Sequence, residues 1–162
     1  MATTRNNIPR DALPVDPASV VIQEGDWALL GDIASGIRRV VFIDEQRVPQ
    51  DEEWDGQDPA CRHFLAYLNG QPVGTARLLP DGHIGRVAVL AEARGAGIGG
   101  RLMDAAVAAA QRLGHRQVAL SAQLHALAFY ERLGFIAHGD EFMDAGIPHR
   151  DMTLSFDDPA SR

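Results

Sequence analysis

The sequence predicts an α/β fold: a mixed, twisted β-sheet of roughly seven strands with helices on both faces. Two patterns lead to this prediction. Three β-like runs separated by tight turn signals follow one another between Arg62 and Leu90, which is typical of an antiparallel meander. A long helical stripe then stands between two further β-like runs, and a strand–helix–strand unit of this kind forms a right-handed parallel crossover. We therefore expect antiparallel strands first and a parallel pair in the centre of the sheet.

Composition limits the chain to a few classes of protein. Its 162 residues, 46% of them hydrophobic, are enough for one domain with its own core. With 15 basic against 22 acidic residues the net charge is −7, which argues against a general nucleic-acid or anionic-membrane surface and favours a cationic partner. No apolar run reaches the roughly 20 residues that a membrane-spanning helix needs.

The cysteine count and the chain ends point to a cytoplasmic protein. Cys61 is the only cysteine, which excludes an internal disulfide and a CxxC metal motif and fits a reducing compartment. Residues 1–17 are polar, contain prolines and lack the apolar segment of a signal peptide, so they predict a disordered or extended leader. We expect a single domain over residues 18–156 and a loose tail over residues 157–162.

The first elements are a strand, a helix and an acidic segment. Ser19–Gln23 is rich in β-branched residues and predicts a strand that ends at Gly25. Apolar residues at helical spacing predict a helix from Asp32 to Arg47, which Pro49 stops. The acidic segment from Gln50 to Pro59 has two interpretations, a solvated loop or a lip that attracts a cationic substrate.

The clearest local signal is a β-hairpin. Arg62–Leu68 and Pro72–Leu79 flank Asn69-Gly70, which is the preferred dipeptide of a two-residue type I′ turn. Another turn over residues 80–82 leads to a third strand, His83–Leu90. These three strands form the predicted meander.

The second half of the chain continues with a helix and three strands. An apolar stripe predicts a helix that begins near Ile98 and ends with Gly114 at its C′ position. A strand, a short helix and two last strands follow at Gln117–Ser121, His125–Leu133, Phe135–His138 and Met152–Phe156.

A glycine-rich turn joins the third meander strand to the long helix and reads Arg94-Gly-Ala-Gly-Ile-Gly-Gly-Arg101. Glycines let a backbone approach an anion closely, and a helix start offers unpaired N–H groups and the positive end of a dipole. The turn therefore predicts a phosphate-binding site.

Three interpretations of this turn compete. Gly95 and Gly100 have the spacing of a nucleotide P-loop, but Arg101-Leu102 stands where that motif needs Lys and Ser or Thr. Gly95-x-Gly97-x-x-Gly100 matches the dinucleotide fingerprint, yet the turn does not follow its strand directly and no acid ends the next strand. The third interpretation is Arg-x-x-Gly-x-Gly over Arg94–Gly99.

With this third pattern the chain resembles the GNAT family of acetyl-CoA-dependent N-acetyltransferases, over roughly Val20 to Phe156. The resemblance is carried by the strand Arg86–Val89, the loop Arg94–Gly99 and the segment Phe129–Phe135. Further segments resemble the ElaA-like group within that family: Val41-Phe42, Glu45-Gln46, Ile84–Leu90, Ser121-Ala-Gln123 and Gly146-Ile-Pro-His149.

The resemblance implies a site for acetyl-CoA as cosubstrate. In the family the strand before the loop pairs with the pantetheine amides, and the loop amides hold the pyrophosphate at the helix start. The parallel strands would separate beside the cofactor to admit the thioester. The residues implied to bind it are Val87, Ala88, Val89, Arg94, Gly95, Ala96, Gly97, Ile98, Gly99, Gly100, Arg101, Ser121, Gln123 and Tyr130.

Acetyl transfer needs a proton donor for the departing thiolate. A tyrosine, with an ordinary pKa of about 10, is protonated at pH 7 and can supply the proton. Tyr130 matches the family position for this role, although its helix face alone would suit a core aromatic.

The transfer also needs a proton acceptor, because a lysine-like ammonium costs roughly 4 to 5 kcal/mol to deprotonate at pH 7. Glu45 leads the candidates, since the first helix borders the acceptor side in this family, and a water relay is an alternative. The other candidates are Glu53, Asp55, Glu141 and His149. The histidines have no metal-ligand spacing, so we expect no metal.

The resulting hypothesis is direct transfer of an acetyl group from acetyl-CoA to a primary amine of a small molecule or peptide. Direct attack is preferred over a covalent intermediate because Cys61 lies outside the motifs. Two alternatives stay open: a non-catalytic acyl-CoA-binding sensor module, and a dinucleotide-dependent oxidoreductase. The acidic balance favours a polyamine-like or peptide amine, and the resemblance makes a homodimer one of the expected assemblies.

Overall fold

Seven strands occur in residues 19–156, the part of the chain that the computed structural model describes; the predicted leader and tail lie outside this range. Four strands run antiparallel in sequence order: β1 (Val20–Gly25), β2 (Arg62–Leu68), β3 (Gln71–Leu78) and β4 (Ile84–Val89). Another antiparallel group has β7 in its middle, flanked by β5 and β6. Its strands are β5 (Gln117–Gln123), β6 (Ile136–Asp144) and β7 (Ile147–Ser155).

The α-helices are α1 (Trp27–Arg38), α2 (Gln50–Glu53), α3 (Ile98–Arg112) and α4 (Leu127–Arg132). A π-helical segment, Arg39–Glu45, continues α1 without a break. No helix within the described range is both long and apolar enough to cross a membrane.

The predicted start of the first helix at Asp32 was wrong. The Asp26 carboxylate accepts a hydrogen bond from the Leu29 N–H at 2.9 Å, so it caps the helix and lets it begin at Trp27. Ile33 and Val40, which entered the predicted apolar stripe, are exposed. The buried positions of this helical stretch are Leu30, Gly31, Ala34, Ile37, Arg38 and Val41.

The predicted hairpin is confirmed. β2 and β3 pair antiparallel, and the two turn residues between them, Asn69 and Gly70, have φ of 52° and 80°. Positive φ at both central positions is the signature of the type I′ turn, whose twist matches that of the strands.

Helices cover both faces of the sheet, as predicted. Along β2, Phe64 and Ala66 join the apolar cluster that contains α3, whereas Leu65 belongs to the cluster that contains α1. This alternation follows from the two-residue period of a strand. Because both faces are apolar here, the centre of the domain has two cores with the sheet between them.

The two central parallel strands, β4 and β5, separate from each other. β4 and β5 are joined only by a parallel bridge from His83 to Ala119 in the described residues, and they diverge beyond it. A bulge bends β4 at this point, because Arg86 and Val87 together lie opposite Ala76 and Arg86 has a φ of 48°. The two strands therefore enclose a slot between them.

The last strands are longer than predicted. β6 and β7 extend to a turn at Ala145 and Gly146, whose φ angles are 52° and 76°. Most of β6 is exposed on both faces, so it lacks the alternation of apolar and polar residues that marks a half-buried strand. The prediction Phe135–His138 was too short for this reason.

Candidate functional site

The free edge of β4 offers backbone groups to the slot. The Leu90 N–H donates to the Val73 carbonyl at 2.8 Å, so the alternation of an antiparallel ladder turns the backbone of Ala88 toward β3 and that of Val87 and Val89 toward the slot. The side chain of Ala88 packs in the α1 core. Of these three predicted residues, only Val87 and Val89 present peptide groups to a ligand between the strands.

The glycine loop supplies a continuous row of free backbone donors. From Gly95 to Gly100, no described residue accepts a hydrogen bond from the six consecutive backbone N–H groups, and the Arg101 N–H is the first that bonds, to the Gly97 carbonyl at 3.2 Å. Gly97 is the N-cap of α3 and has no side chain to satisfy these donors. Such a row at a helix start attracts an anion.

Two glycines of this loop are required by its backbone. Gly95 and Gly97 have φ of 84° and 78°, which a residue with a side chain adopts only at a cost. A Cβ atom at either position, or at Gly100, would meet no atom within 4 Å, so the space beside them is open. At Gly99 a Cβ would lie 3.3 Å from the Phe129 ring, which instead indicates close packing of α4 against α3.

The remaining predicted loop residues have other partners. Ile98 is part of the core, so its contribution to the loop is its backbone N–H. Ala96 packs partly against the same core. The Arg101 side chain donates to the Val20 carbonyl at 3.2 Å and therefore reaches toward β1.

Arg94 and Glu45 meet at the start of the loop. The Arg94 guanidinium donates to both carboxylate oxygens of Glu45 and to the Val89 carbonyl. The hydrogen bond from Arg94 lowers the pKa of Glu45, and the same bond raises the pKa of Arg94. Glu45 does not line the slot, and its carboxylate is already occupied.

The slot widens into a cavity of about 410 Å³. Val87 from β4 and Ser121 and Gln123 from β5 line it, as does Tyr130 from α4. The Ser121 hydroxyl donates to Asp151 at 2.8 Å. The structure thus brings together the predicted residues of both central strands and the predicted tyrosine.

Tyr130 lies between the core and the cavity, so its position is compatible with both interpretations considered from the sequence. Its ring packs against the core and meets Phe129 and Phe135 edge to face, with centroids 4.9 and 6.0 Å away. Its hydroxyl has no hydrogen-bond partner among the described residues. Burial raises the pKa of Tyr130 to about 12, so the hydroxyl keeps its proton at neutral pH.

A hydrogen-bonded pair of glutamines lies at the cavity. The Gln123 amide donates to the Gln46 side chain at 2.9 Å, and His125 Nε2 bonds the Gln123 carbonyl oxygen at 2.6 Å. Sequence reasoning gave Gln46 and His125 no role. The only available signal was the position of Gln46 beside Glu45 in a family-like segment.

The acidic segment after α1 is only partly a solvated loop: most of its residues are exposed, but Glu53 and Asp58 are buried. Glu52 and Glu53 line the cavity, and a lip that attracts a cationic substrate stays a prediction. Arg38, which is 1% exposed, binds Glu53 at 2.6 Å and Asp58 at 2.8 Å. Arg77 binds Asp55 and Asp58. These arginines come from α1 and β3, and they bind three of the five carboxylates in the segment, whereas Asp51 and Glu52 are exposed.

Arg86 of the β4 bulge completes this charge cluster through Glu53, at 3.1 Å, and Asp55, at 3.3 Å. The hydrogen bond from Arg77 holds the pKa of Asp55 well below its usual range. Burial alone would raise the pKa of Asp58, but Arg38 and Arg77 outweigh it and lower that pKa. The cluster fixes the loop to the sheet beside the cavity.

The other candidate bases lie in different surroundings. Glu53 lines the cavity but is bound by two arginines, and Asp55 is bound by two as well. Glu141 is exposed on β6 and does not line the cavity. His149 of β7 lines the cavity and is 8% exposed.

Cys61 stands apart from the cavity and from metal chemistry. Its thiol is buried and donates to the Gln57 carbonyl at 3.3 Å, and burial raises its pKa. Among residues 19–156, no three His, Cys, Asp or Glu side chains are grouped as metal ligands.

Comparison with known proteins identifies the family of this chain. Residues 38–156 match the model of the Acetyltransferase (GNAT) domain family. The uncharacterized N-acetyltransferase YjcF of Bacillus subtilis is 39% identical over 120 residues, which are 72% of this chain and 86% of YjcF.

Two crystal structures are similar to this fold. An acyl-CoA N-acyltransferase from Pseudomonas aeruginosa superposes with a TM-score of 0.74 and 35% identity, covering 85% of this chain and 100% of that one. Escherichia coli ElaA superposes with a TM-score of 0.75 and 29% identity, covering 84% of this chain and 99% of that one.

Proposed function

Since the chain belongs to the GNAT acetyltransferase family and is an acyltransferase, we propose that it moves an acetyl group from acetyl-CoA directly to a primary amine of a small molecule or peptide. The observation that carries the proposal is the row of six unpaired backbone N–H groups from Gly95 to Gly100. A pyrophosphate, with two adjacent anionic groups, is a suitable partner for a row of this length.

The slot between β4 and β5 supports CoA as the compound that contains this pyrophosphate. A ligand that leaves the loop along β4 meets the Val89 N–H and the peptide groups of Val87, which can pair with amides of an extended chain, whereas the Val89 carbonyl already accepts from Arg94. The slot then opens into the cavity that Tyr130 lines. An anion site, a strand edge and a reaction cavity therefore follow one another in the order of the CoA molecule.

Tyr130 serves the leaving group as a hydrogen-bond donor. With a pKa raised to about 12, it is a much weaker acid than a thiol. An ordinary thiol has a pKa of about 8.5, so complete proton transfer from Tyr130 to a thiolate is unfavourable. The neutral hydroxyl instead stabilises the thiolate charge as the C–S bond breaks.

The amine attacks the acetyl carbonyl without a covalent enzyme intermediate. Cys61 is buried, is protonated and does not line the cavity, so the described cavity contains no cysteine nucleophile. Glu45 as general base stays a prediction, and its ion pair with Arg94 argues against it. A cytoplasmic location, a homodimer and a single domain over residues 18–156 also stay predictions.

The experiment that tests this proposal has two stages. First, the melting temperature is measured with acetyl-CoA and with NADH; we expect acetyl-CoA alone to raise it, because a ligand that binds only the folded state stabilises that state. Second, a panel of primary amines is screened for release of the CoA thiol from acetyl-CoA.

The outcomes separate the alternatives. Thiol release that depends on an amine supports the proposal. Stabilisation by acetyl-CoA without release for any amine would favour the sensor module, and stabilisation by NADH alone would favour the oxidoreductase.

A further inference from the structure

We propose that His149 is the general base that takes the proton from the acceptor amine. The inference rests on the proposed function and deepens it, because it assigns the proton acceptor of the same site. His149 lies on β7, opposite Gln123 of β5 and Phe142 of β6. Its ring stacks on Phe142 with centroids 5.9 Å apart and an angle of 24°.

The position of His149 suits a base. It lines the cavity together with Val87 and Tyr130, so it borders the space where the thioester and the amine would meet. Only 8% of the residue is exposed, and the stack on Phe142 holds the ring in place. A buried and fixed side chain loses little motion when it acts on a substrate.

A hydrogen bond sets the tautomer of His149. Its Nδ1 lies 2.6 Å from the Ile147 carbonyl oxygen, and a carbonyl can only accept, so Nδ1 carries the proton. The lone pair of the neutral ring is then on Nε2. This is the arrangement in which a second group orients a catalytic imidazole.

Nε2 of His149 is accessible and unpaired in the described structure. No described residue hydrogen-bonds to it, and it is not enclosed either. The side-chain nitrogen atoms that are both enclosed and unpaired in the described structure are His63 Nδ1 and Arg77 Nε. Nε2 is therefore an accessible proton acceptor without a partner.

The other candidates lack one of these properties. Glu45 is outside the cavity and bound by Arg94, and Glu53 is bound by Arg38 and Arg86. Asp55 and Glu141 do not line the cavity.

Two further histidines line the cavity. His83 is 55% exposed in its side chain and paired with Asp81. His125 is exposed, and its Nε2 already bonds Gln123. The carboxylates of Glu52 and Asp144 also line the cavity but belong to exposed residues, so among the histidines of the cavity His125 is the competitor that the test must include.

The proposed reaction consists of proton transfer to His149, attack of the amine on the thioester and release of the CoA thiol. An N–H bond of the ammonium breaks and its proton moves to His149 Nε2, which leaves the nitrogen lone pair free to form the C–N bond. The C–S bond then breaks, and the thiolate leaves with a hydrogen bond from Tyr130. The nitrogen passes its second proton to the thiolate as the amide forms, so that CoA leaves as its thiol, and His149 Nε2 releases the first proton to solvent, which regenerates the base.

The test uses two acceptors that differ in their need for a base. An alkylamine from the panel is an ammonium ion at pH 7, whereas hydroxylamine is uncharged. With the alkylamine, we expect His149→Gln to lower kcat/KM by about 100-fold or more. With hydroxylamine the loss should be much smaller, and the Kd for acetyl-CoA should be unchanged.

His138→Gln is the matched control, because His138 lies exposed on β6, bonds Thr153 and does not line the cavity. Melting temperatures verify that the variants fold. Equal losses with both acceptors, or a His125→Gln variant that shows the selective loss in place of His149→Gln, would overturn the inference. Wild-type protein that releases no thiol with any amine would instead contradict the proposed function itself.

Discussion

Arg94 donates from its two terminal nitrogens to the two carboxylate oxygens of Glu45, at 2.7 and 2.8 Å. Its Nε donates to the Val89 carbonyl at 2.9 Å. One guanidinium thus connects the π-helical segment, the end of β4 and the start of the glycine loop. Both side chains are more than a third exposed, so this ion pair contributes little to the stability of the fold. We infer that its role is to position the glycine loop.

Replacing Glu45 with glutamine tests that role. We expect Glu45→Gln to lower the free energy of unfolding by less than about 1 kcal/mol, because exposed ion pairs contribute little. The Kd for acetyl-CoA should rise severalfold, since the loop loses one of its two anchors. Calorimetric titration and urea unfolding measure the two effects. A loss in kcat of about 100-fold at unchanged Kd would instead identify Glu45 as the base.

Gly97→Ala tests the glycine loop as an anion site. Gly97 has a φ of 78°, and an alanine there costs about 1–2 kcal/mol or forces the loop to move. Since movement would misalign the six amides, we expect the affinity for acetyl-CoA to fall by at least tenfold, or about 1.4 kcal/mol.

The control for this variant is Gly36→Ala. Gly36 is exposed on α1, and a Cβ there meets no atom within 4 Å. This change should stabilise the helix by about 0.5–1 kcal/mol and leave acetyl-CoA binding unaltered. Equal affinities for all three proteins would show that the loop does not hold the donor.

The charge cluster beside the cavity should be costly to break. Arg38 is the buried partner of both Glu53 and Asp58, and Arg38→Met removes it. We expect this change to lower the free energy of unfolding by about 3–5 kcal/mol. Urea unfolding measures it. The neighbouring Arg39 is exposed and makes no described ion pair, so Arg39→Met should change stability by less than about 0.5 kcal/mol. Similar small effects for both variants would contradict the importance of the cluster.

The same cluster predicts a loss of stability in acid. The pKa values of Asp55 and Asp58 are lowered in the folded protein, so unfolded chains bind protons first as the pH falls. The contribution is present above an unfolded pKa of about 3.9 and is lost as the pH falls from there toward the folded values. We therefore expect the urea concentration at the unfolding midpoint, measured from pH 7 to pH 2, to decrease once the pH falls below about 4. A midpoint that is constant down to pH 2 would show that these carboxylates are not stabilised by the arginines.

Local signals were sufficient to predict much of the fold. The Asn69-Gly70 hairpin and the stripe of α3 depend on neighbouring residues, and both are found in the structure. The start of α1 was missed because the capping role of Asp26 outweighs the apolar periodicity. β6 was underestimated because an exposed strand carries no apolar pattern.

The candidate site, like the fold, could be predicted from the sequence only in part. The glycine loop, at the start of α3, and Tyr130, which lines the cavity, belong to continuous motifs that can be found in the sequence. The partners of the acidic segment could not be predicted, because Arg38, Arg77 and Arg86 come from three separate elements. The tautomer of His149 depends on the carbonyl of Ile147, two residues earlier on the same strand, which only the folded backbone brings into reach.

The central claim is that acetyl-CoA is the donor and that Tyr130 stabilises its departing thiolate. The most direct measurement is kcat for amine-dependent thiol release by wild-type protein and Tyr130→Phe, together with the Kd of each for acetyl-CoA. Phenylalanine keeps the ring contacts with Phe129 and Phe135 and removes only the hydroxyl. We predict a kcat lower by about one to three orders of magnitude at unchanged Kd. Equal kcat values for the two proteins would contradict the claim.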